Sequence, residues 1–175
     1  MKSISTPQLF RPIADGLSEA ELLQKHLDQL EATIGSFADQ GGFAGMMLCS
    51  ILANEGLPTP PARWFAEATA MVKDAGGLII ADEVQAGFAR SGSWWGYEVS
   101  DFTPDVVCMG KPMGNGFPVS AMAASHEMVT KFRETHRYFN TFASSPLQAA
   151  AGSAVLDEII DRDLVHQVSD VGSRL

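Results

Sequence analysis

Two apolar runs with a helical stretch between them constrain the fold of this chain more than any other feature. Phe43-Ala44-Gly45-Met46-Met47-Leu48-Cys49-Ser50-Ile51-Leu52 and Leu78-Ile79-Ile80-Ala81 have almost no polar alternation, which suits strands buried on both faces. Between them the chain turns through Pro58, Pro60 and Pro61. A helix is then predicted from about Ala62 to Asp74, stopped by Gly76-Gly77. Strand, helix and strand in such short succession predict a parallel pair joined by a right-handed crossover. An α/β fold follows, and ligands of open α/β folds bind at the carboxyl edge of the sheet.

The remaining segments fit that frame. Residues 1–16 hold Pro7, Pro12 and Gly16 without periodicity and read as an irregular lead-in, and residues 17–175 as one domain. Ser18 is a natural N-cap with Glu21 completing a capping box; Leu22, Leu23, Leu27, Leu30 and Ile34 then recur at helical spacing up to Gly35. That apolar face is expected to pack against the sheet. Residues 83–104 read as a long loop with a short helical piece near Trp94–Tyr97, and loops of this length are usually functional. Val106–Met109 and Val119–Ala123 are further strand candidates, and helices are expected near 126–134 and 146–162.

Charge and composition exclude several partners. The 175 residues are 46% hydrophobic, enough for a sizeable core, and carry a formal net charge of −9 with no basic cluster to offset it. Nucleic acid and acidic membrane surfaces are therefore not expected partners. The apolar runs are shorter than a bilayer-spanning helix and Met1–Phe10 lacks the layout of a secretory signal, so a cytoplasmic location is expected. Cys49 and Cys108 are far apart in sequence with no nearby histidine, which predicts reduced thiols rather than a disulfide or zinc site. His26, His126, His136 and His166 fall on separate elements, have no metal-ligand spacing, and are expected at surface or helix-terminal positions.

The residues with chemistry follow the strands. Asp82 and Glu83 come directly after an apolar strand, a pattern that also describes the magnesium-binding strand of a nucleotidase. A nucleotidase needs G-x-x-x-x-G-K-[ST], but Gly110-Lys111 is followed by Pro112, so the metal-binding hydroxyl is absent. Instead Lys111 stands at the end of a strand candidate, followed by Pro112, Gly114, Gly116 and Pro118, which can fix an unusual backbone path. A lysine attacks carbonyls only after losing its proton. Its free pKa of about 10.4 must fall through desolvation or nearby positive charge, and apolar cover beside the sheet edge would meet that need.

Three blocks, GGLIIADEVQAGFARSG, TPDVVCMGKPMGNGFPVSAM and YFNTFASSPLQAAAG, resemble consecutive signatures of the class III pyridoxal-phosphate-dependent aminotransferases and span about residues 77–152. The resemblance implies the large domain of the aspartate-aminotransferase-like fold (fold type I), with a mostly parallel sheet flanked by helices. It implies that pyridoxal 5'-phosphate is held as a Schiff base on Lys111, which would also serve as general acid and base. Asp82 resembles the aspartate that pairs with the pyridine nitrogen, Val84 the residue against the ring face, and Gln85 the residue near the ring hydroxyl. Thr141 resembles the threonine that binds the cofactor phosphate across a dimer interface, so a homodimer with shared sites is implied.

The resemblance also implies that the domain is incomplete. An upstream phosphate-binding turn and stacking aromatic are missing, and the C-terminal small domain is not represented. Ala143-Ser144-Ser145 stands where the family usually has a glycine-rich sequence, with hydroxyls that could replace backbone contacts to phosphate. The upstream strand runs into Leu52-Ala53-Asn54-Glu55 rather than a Glu-Pro pair. Three functions stay open: amino-group transfer from an amine or amino acid to an oxo acid, phosphate elimination by a phospho-lyase acting on an amino-alcohol phosphate, and a non-catalytic dimer-forming fragment.

Overall fold

The computed structural model describes residues 1–143 and 145–174; Ser144 and Leu175 lie outside the described residues. Four strands, β1 (Gly45–Cys49), β2 (Leu78–Asp82), β3 (Val106–Met109) and β4 (Ala121–Ala124), form one sheet in chain order. β1 and β2 are parallel with Cys49 opposite Asp82, and β2 and β3 are parallel with Asp82 opposite Cys108. β4 runs antiparallel to β3 and places Met122 opposite Cys108. The expected α/β architecture with a mostly parallel sheet is therefore present.

Helices α1 (Glu19–Gly35) and α2 (Trp64–Asp74) flank this sheet. The Ser18 hydroxyl accepts from the Glu21 N–H while the Glu21 carboxylate accepts from the Ser18 N–H at 2.8 Å, so two of the orphan donors at the start of α1 are satisfied. α1 lies along α2. Leu27 and Leu30 reach the strands through a common core with Trp64, Val72, Ile79 and Ala81. Val72 and Ile79 are fully buried, each contributing about 1.5–3 kcal/mol relative to an exposed side chain.

The strands depart from the expected burial on both faces. Alternation puts Met46, Leu48, Ile79 and Ala81 toward the α1–α2 core and Met47 and Leu78 on the other face, where they are 59% and 40% exposed. The apolar run is long enough for two covered faces, but among the described residues helices cover this part of the sheet from one side. β1 also ends at Cys49, earlier than its apolar run, and at Leu52 the chain adopts a left-handed conformation (φ 45°).

The long loop after β2 contains α3 (Gly96–Val99), close to the expected helical piece. It packs Phe88 and Ala89 against Ile159 in a second, smaller core. α4 (His126–Thr135) and α5 (Pro146–Asp161) match expectation, while α6 (Leu164–Gly172) is additional. The break before α6 is at Asp163, which is left-handed (φ 48°). His126, His136 and His166 are exposed as expected, but His26 is 1% exposed and, among the described residues, neither ring nitrogen has a partner. It is on the α1 face shared with Leu22 and Leu30, one helical turn either side, and is buried with them.

Candidate active site

The end of β2 sends two adjacent carboxylates to different tasks, since successive strand residues face opposite sides of the sheet. Glu83 is fully buried. Its carboxylate accepts from the Ser50 hydroxyl, from the Gly96 N–H at 2.7 Å and from the Tyr97 N–H at 2.9 Å. A β-carbon at Gly96 would lie 2.4 Å from the Ala86 β-carbon, so glycine permits the approach that makes the first backbone bond. Glu83 thus ties the ends of β1 and β2 to the start of α3. In the same loop Trp95 stacks on Tyr97 and meets the edge of Phe88, which makes these aromatics anchors of the loop.

Asp82 faces away from that clamp. One oxygen accepts from the Val84 N–H at 3.0 Å, and the other is 3.8 Å from the Cys49 sulfur, within reach of a thiol donor. Cys49 and Cys108 occupy the register positions on either side of Asp82. The Cys49 thiol is pushed up to about 11, first by burial and then by the negative charges of Asp82 and Glu55, with Lys111 acting in the opposite direction. Burial, and after it the charge of Asp82, also raises Cys108. The two cysteines that looked unrelated in sequence therefore bracket one carboxylate, and both are free thiols.

Lys111 begins a single 3-10 turn, Lys111–Gly114, immediately after β3 and Gly110. Gly110 keeps the path close to β2: a β-carbon there would lie 3.4 Å from a Val84 methyl. The apolar cover expected over Lys111 is not present, since its side chain is exposed at the open carboxyl edge of the sheet. Asp82, Val84, Gln85 and Lys111 nevertheless line one shallow depression of about 30 Å³ together with Cys49 and Asn54. The Gln85 side-chain amide donates to the Asn54 carbonyl oxygen at 2.6 Å. A larger cavity of about 520 Å³ lies between Pro58–Ala66 and Val99–Asp101 and contains none of the predicted residues.

Thr141 is not part of the depression. It is exposed in a segment where Phe139 and Phe142 are 87% and 85% exposed. Ser145, one of the hydroxyls suggested for the phosphate, caps α5 by accepting from the Gln148 N–H at 3.2 Å. The depression thus brings together a carboxylate, an apolar side chain, an amide and a primary amine. These are the group types that the resemblance implies for pyridoxal phosphate, and among the described residues the depression adds none for its phosphate. Asn54 and Cys49 were not anticipated, because strand register and the left-handed turn at Leu52 bring them in. Alternation along β2 was the available signal that Asp82 and Glu83 have different roles.

The comparisons with known proteins extend beyond the three motif blocks. The family model described as aminotransferase class-III matches residues 3–175. Human mitochondrial alanine–glyoxylate aminotransferase 2 is 35% identical over 150 residues, which is 85% of this chain and 29% of that protein. Ethanolamine-phosphate phospho-lyase homolog 1 of Caenorhabditis elegans is 38% identical over 139 residues, 78% of this chain and 30% of that protein. The structure of an Arthrobacter phospholyase in complex with phosphoethanolamine superposes with a TM-score of 0.89 at 34% identity, covering 99% of this chain and 41% of that one. The chain spans about 30% of the length of these curated relatives. Among the described residues no helix is long and apolar enough to cross a membrane. With sequence and fold matching along nearly its whole length, this chain belongs to the class III aminotransferases, a family that uses pyridoxal phosphate.

Proposed function

We propose that this chain forms the cofactor-binding core of a pyridoxal-phosphate-dependent aminotransferase that moves an amino group from an amine or amino acid to an oxo acid. The observation that carries this reading is that Asp82 and Lys111, from the ends of neighbouring strands, line one depression together with Val84. When bound, the cofactor supplies an electron sink that no side chain offers. Asp82 keeps the ring nitrogen protonated, Val84 supports the ring face and Gln85 lies at the ring hydroxyl. Lys111 anchors the cofactor through its amine and moves a proton at Nζ.

Incubation with pyridoxal phosphate, borohydride reduction and peptide mass spectrometry test the reading. A phosphopyridoxyl group confined to Lys111 is expected, and Lys111→Ala should abolish it. Asp82→Asn should weaken cofactor binding by roughly 10- to 100-fold, as expected for loss of a charge-assisted bond of about 1.5–3 kcal/mol. Labelling scattered over surface lysines would instead favour a non-catalytic fragment.

A second reading is supported by the phospho-lyases among the relatives, which at 38% and 34% identity are as similar as the aminotransferase at 35%. In it the same residues assist elimination of phosphate from an amino-alcohol phosphate. Release of phosphate from phosphoethanolamine without any oxo acid would select it. In either reading we infer a homodimer in the cytoplasm, with Thr141 reaching the phosphate in the neighbouring subunit's site. The exposure of Thr141, Phe139 and Phe142 and the two free thiols support this.

A further inference from the structure

We propose that Cys49 is a positioning residue that fixes the direction in which Asp82 presents its carboxylate to the cofactor's ring nitrogen; this rests on the function proposed above. A carboxylate rotates readily about its last bond, since terminal torsions of this kind are broad. In Asp82 that rotation is opposed from two sides. The Val84 N–H holds one oxygen at 3.0 Å, and the Cys49 thiol, directly across the β1–β2 register, meets the other at 3.8 Å.

The chemistry of the thiol suits this task. A thiol is a weak and neutral donor, so it can orient Asp82 without neutralising the charge needed at the ring nitrogen. A lysine or arginine at position 49 would compete for that charge. The thiolate, not the thiol, is the sulfur nucleophile. Burial and the neighbouring carboxylates keep Cys49 protonated, so it does not compete with Lys111 for a carbonyl carbon in the same depression.

Cys108 provides an internal control. It occupies the register position on the other side of Asp82 but, among the described residues, makes no hydrogen bond to that carboxylate. A merely electrostatic influence of Asp82 would act on both thiols, whereas a hydrogen bond acts on Cys49.

The first test needs no cofactor. Alkylation rates of the two cysteines are followed by peptide mass spectrometry at mildly alkaline pH in the unaltered chain and in Asp82→Ala, which removes the acceptor as well as the charge. Cys49 should accelerate roughly tenfold, the equivalent of one pKa unit, and Cys108 by clearly less. Equal acceleration of both would overturn the hydrogen bond. The second test measures pyridoxal phosphate affinity by absorbance. Cys49→Ala should bind roughly 3- to 10-fold more weakly, Cys49→Ser should recover most of the loss, and Cys108→Ala should match the unaltered chain. Unchanged affinity in Cys49→Ala, with labelling still confined to Lys111, would overturn this inference and leave the proposed function standing. Failure of the unaltered chain to label at Lys111 would overturn both.

Discussion

Between β1 and β3 the chain buries one face of its sheet under its own helices, whereas from β4 onward it covers few of its apolar residues. In the first region Leu48, Val72, Ile79 and Ala81 are at most 6% exposed, and the buried carboxylate of Glu83 has three donors. In the second, α4 and α6 have no buried residue, and Tyr138, Phe139, Phe142, Leu147 and Ile160 are each more than 60% exposed. Both regions have amphipathic sequences, so the difference is not one of composition. It lies in whether other elements of the chain meet the apolar face. The first region draws stability from its own core, while the second leaves apolar surface open, the kind of surface on which interaction sites are built.

The largest expected effect lies in the first region. Glu83→Ala would leave the Ser50 hydroxyl and the N–H groups of Gly96 and Tyr97 without their acceptor, destabilising the chain by roughly 3 kcal/mol or more. Urea unfolding measures this, and a loss below about 1 kcal/mol would remove Glu83 from the centre of the comparison. Next comes the second region: replacing Phe139 and Phe142 by serine should weaken self-association by roughly 30-fold, as for loss of an interface anchor worth about 2 kcal/mol, while leaving the unfolding midpoint nearly unchanged. Sedimentation equilibrium and a urea titration together check it. A large drop in midpoint with unaltered self-association would reverse the contrast.

A smaller effect depends on pH. Burial holds the His26 imidazole below its ordinary value of 6.5. The unfolded chain takes up a proton below that value while the folded chain stays neutral. His26 therefore leaves stability intact above 6.5 and removes it as pH falls toward the folded-state value, by at most about 1.4 kcal/mol per pH unit. His26→Leu should become progressively more stable than the unaltered chain as pH falls below about 6.5, and a constant difference across that range would contradict a buried neutral imidazole. The smallest effect is expected at Glu158, whose pair with Arg162 is largely solvent-exposed. Glu158→Ala should shift stability by less than about 0.5 kcal/mol in a thermal melt.

These contrasts show where the sequence was legible. The Ser18–Glu21 capping box, the helix through Leu22, Leu27 and Leu30, and the strands ending at Asp82 and Met109 all follow from signals within a few residues. The strand-end positions of Asp82 and Lys111 were legible for the same reason, Asp82 closing one apolar run and Lys111 coming one glycine after another. Other features depended on long-range arrangement. The exposure of Met47 and Lys111, the burial of His26 and the capping role of Ser145 depend on what packs nearby, which a local pattern does not encode.

The sequence by itself determined an α/β chain with two parallel strands around a helix, and identified a strand-end aspartate and a strand-end lysine, because hydrophobic period, caps and turn residues act over one or two turns of chain. Tertiary structure alone decided that Glu83 would clamp the loop while Asp82 faced the depression with Cys49 and Cys108 on either side. Strand order and register make those choices, and they arise from the free energy of packing the whole sheet rather than from any one segment.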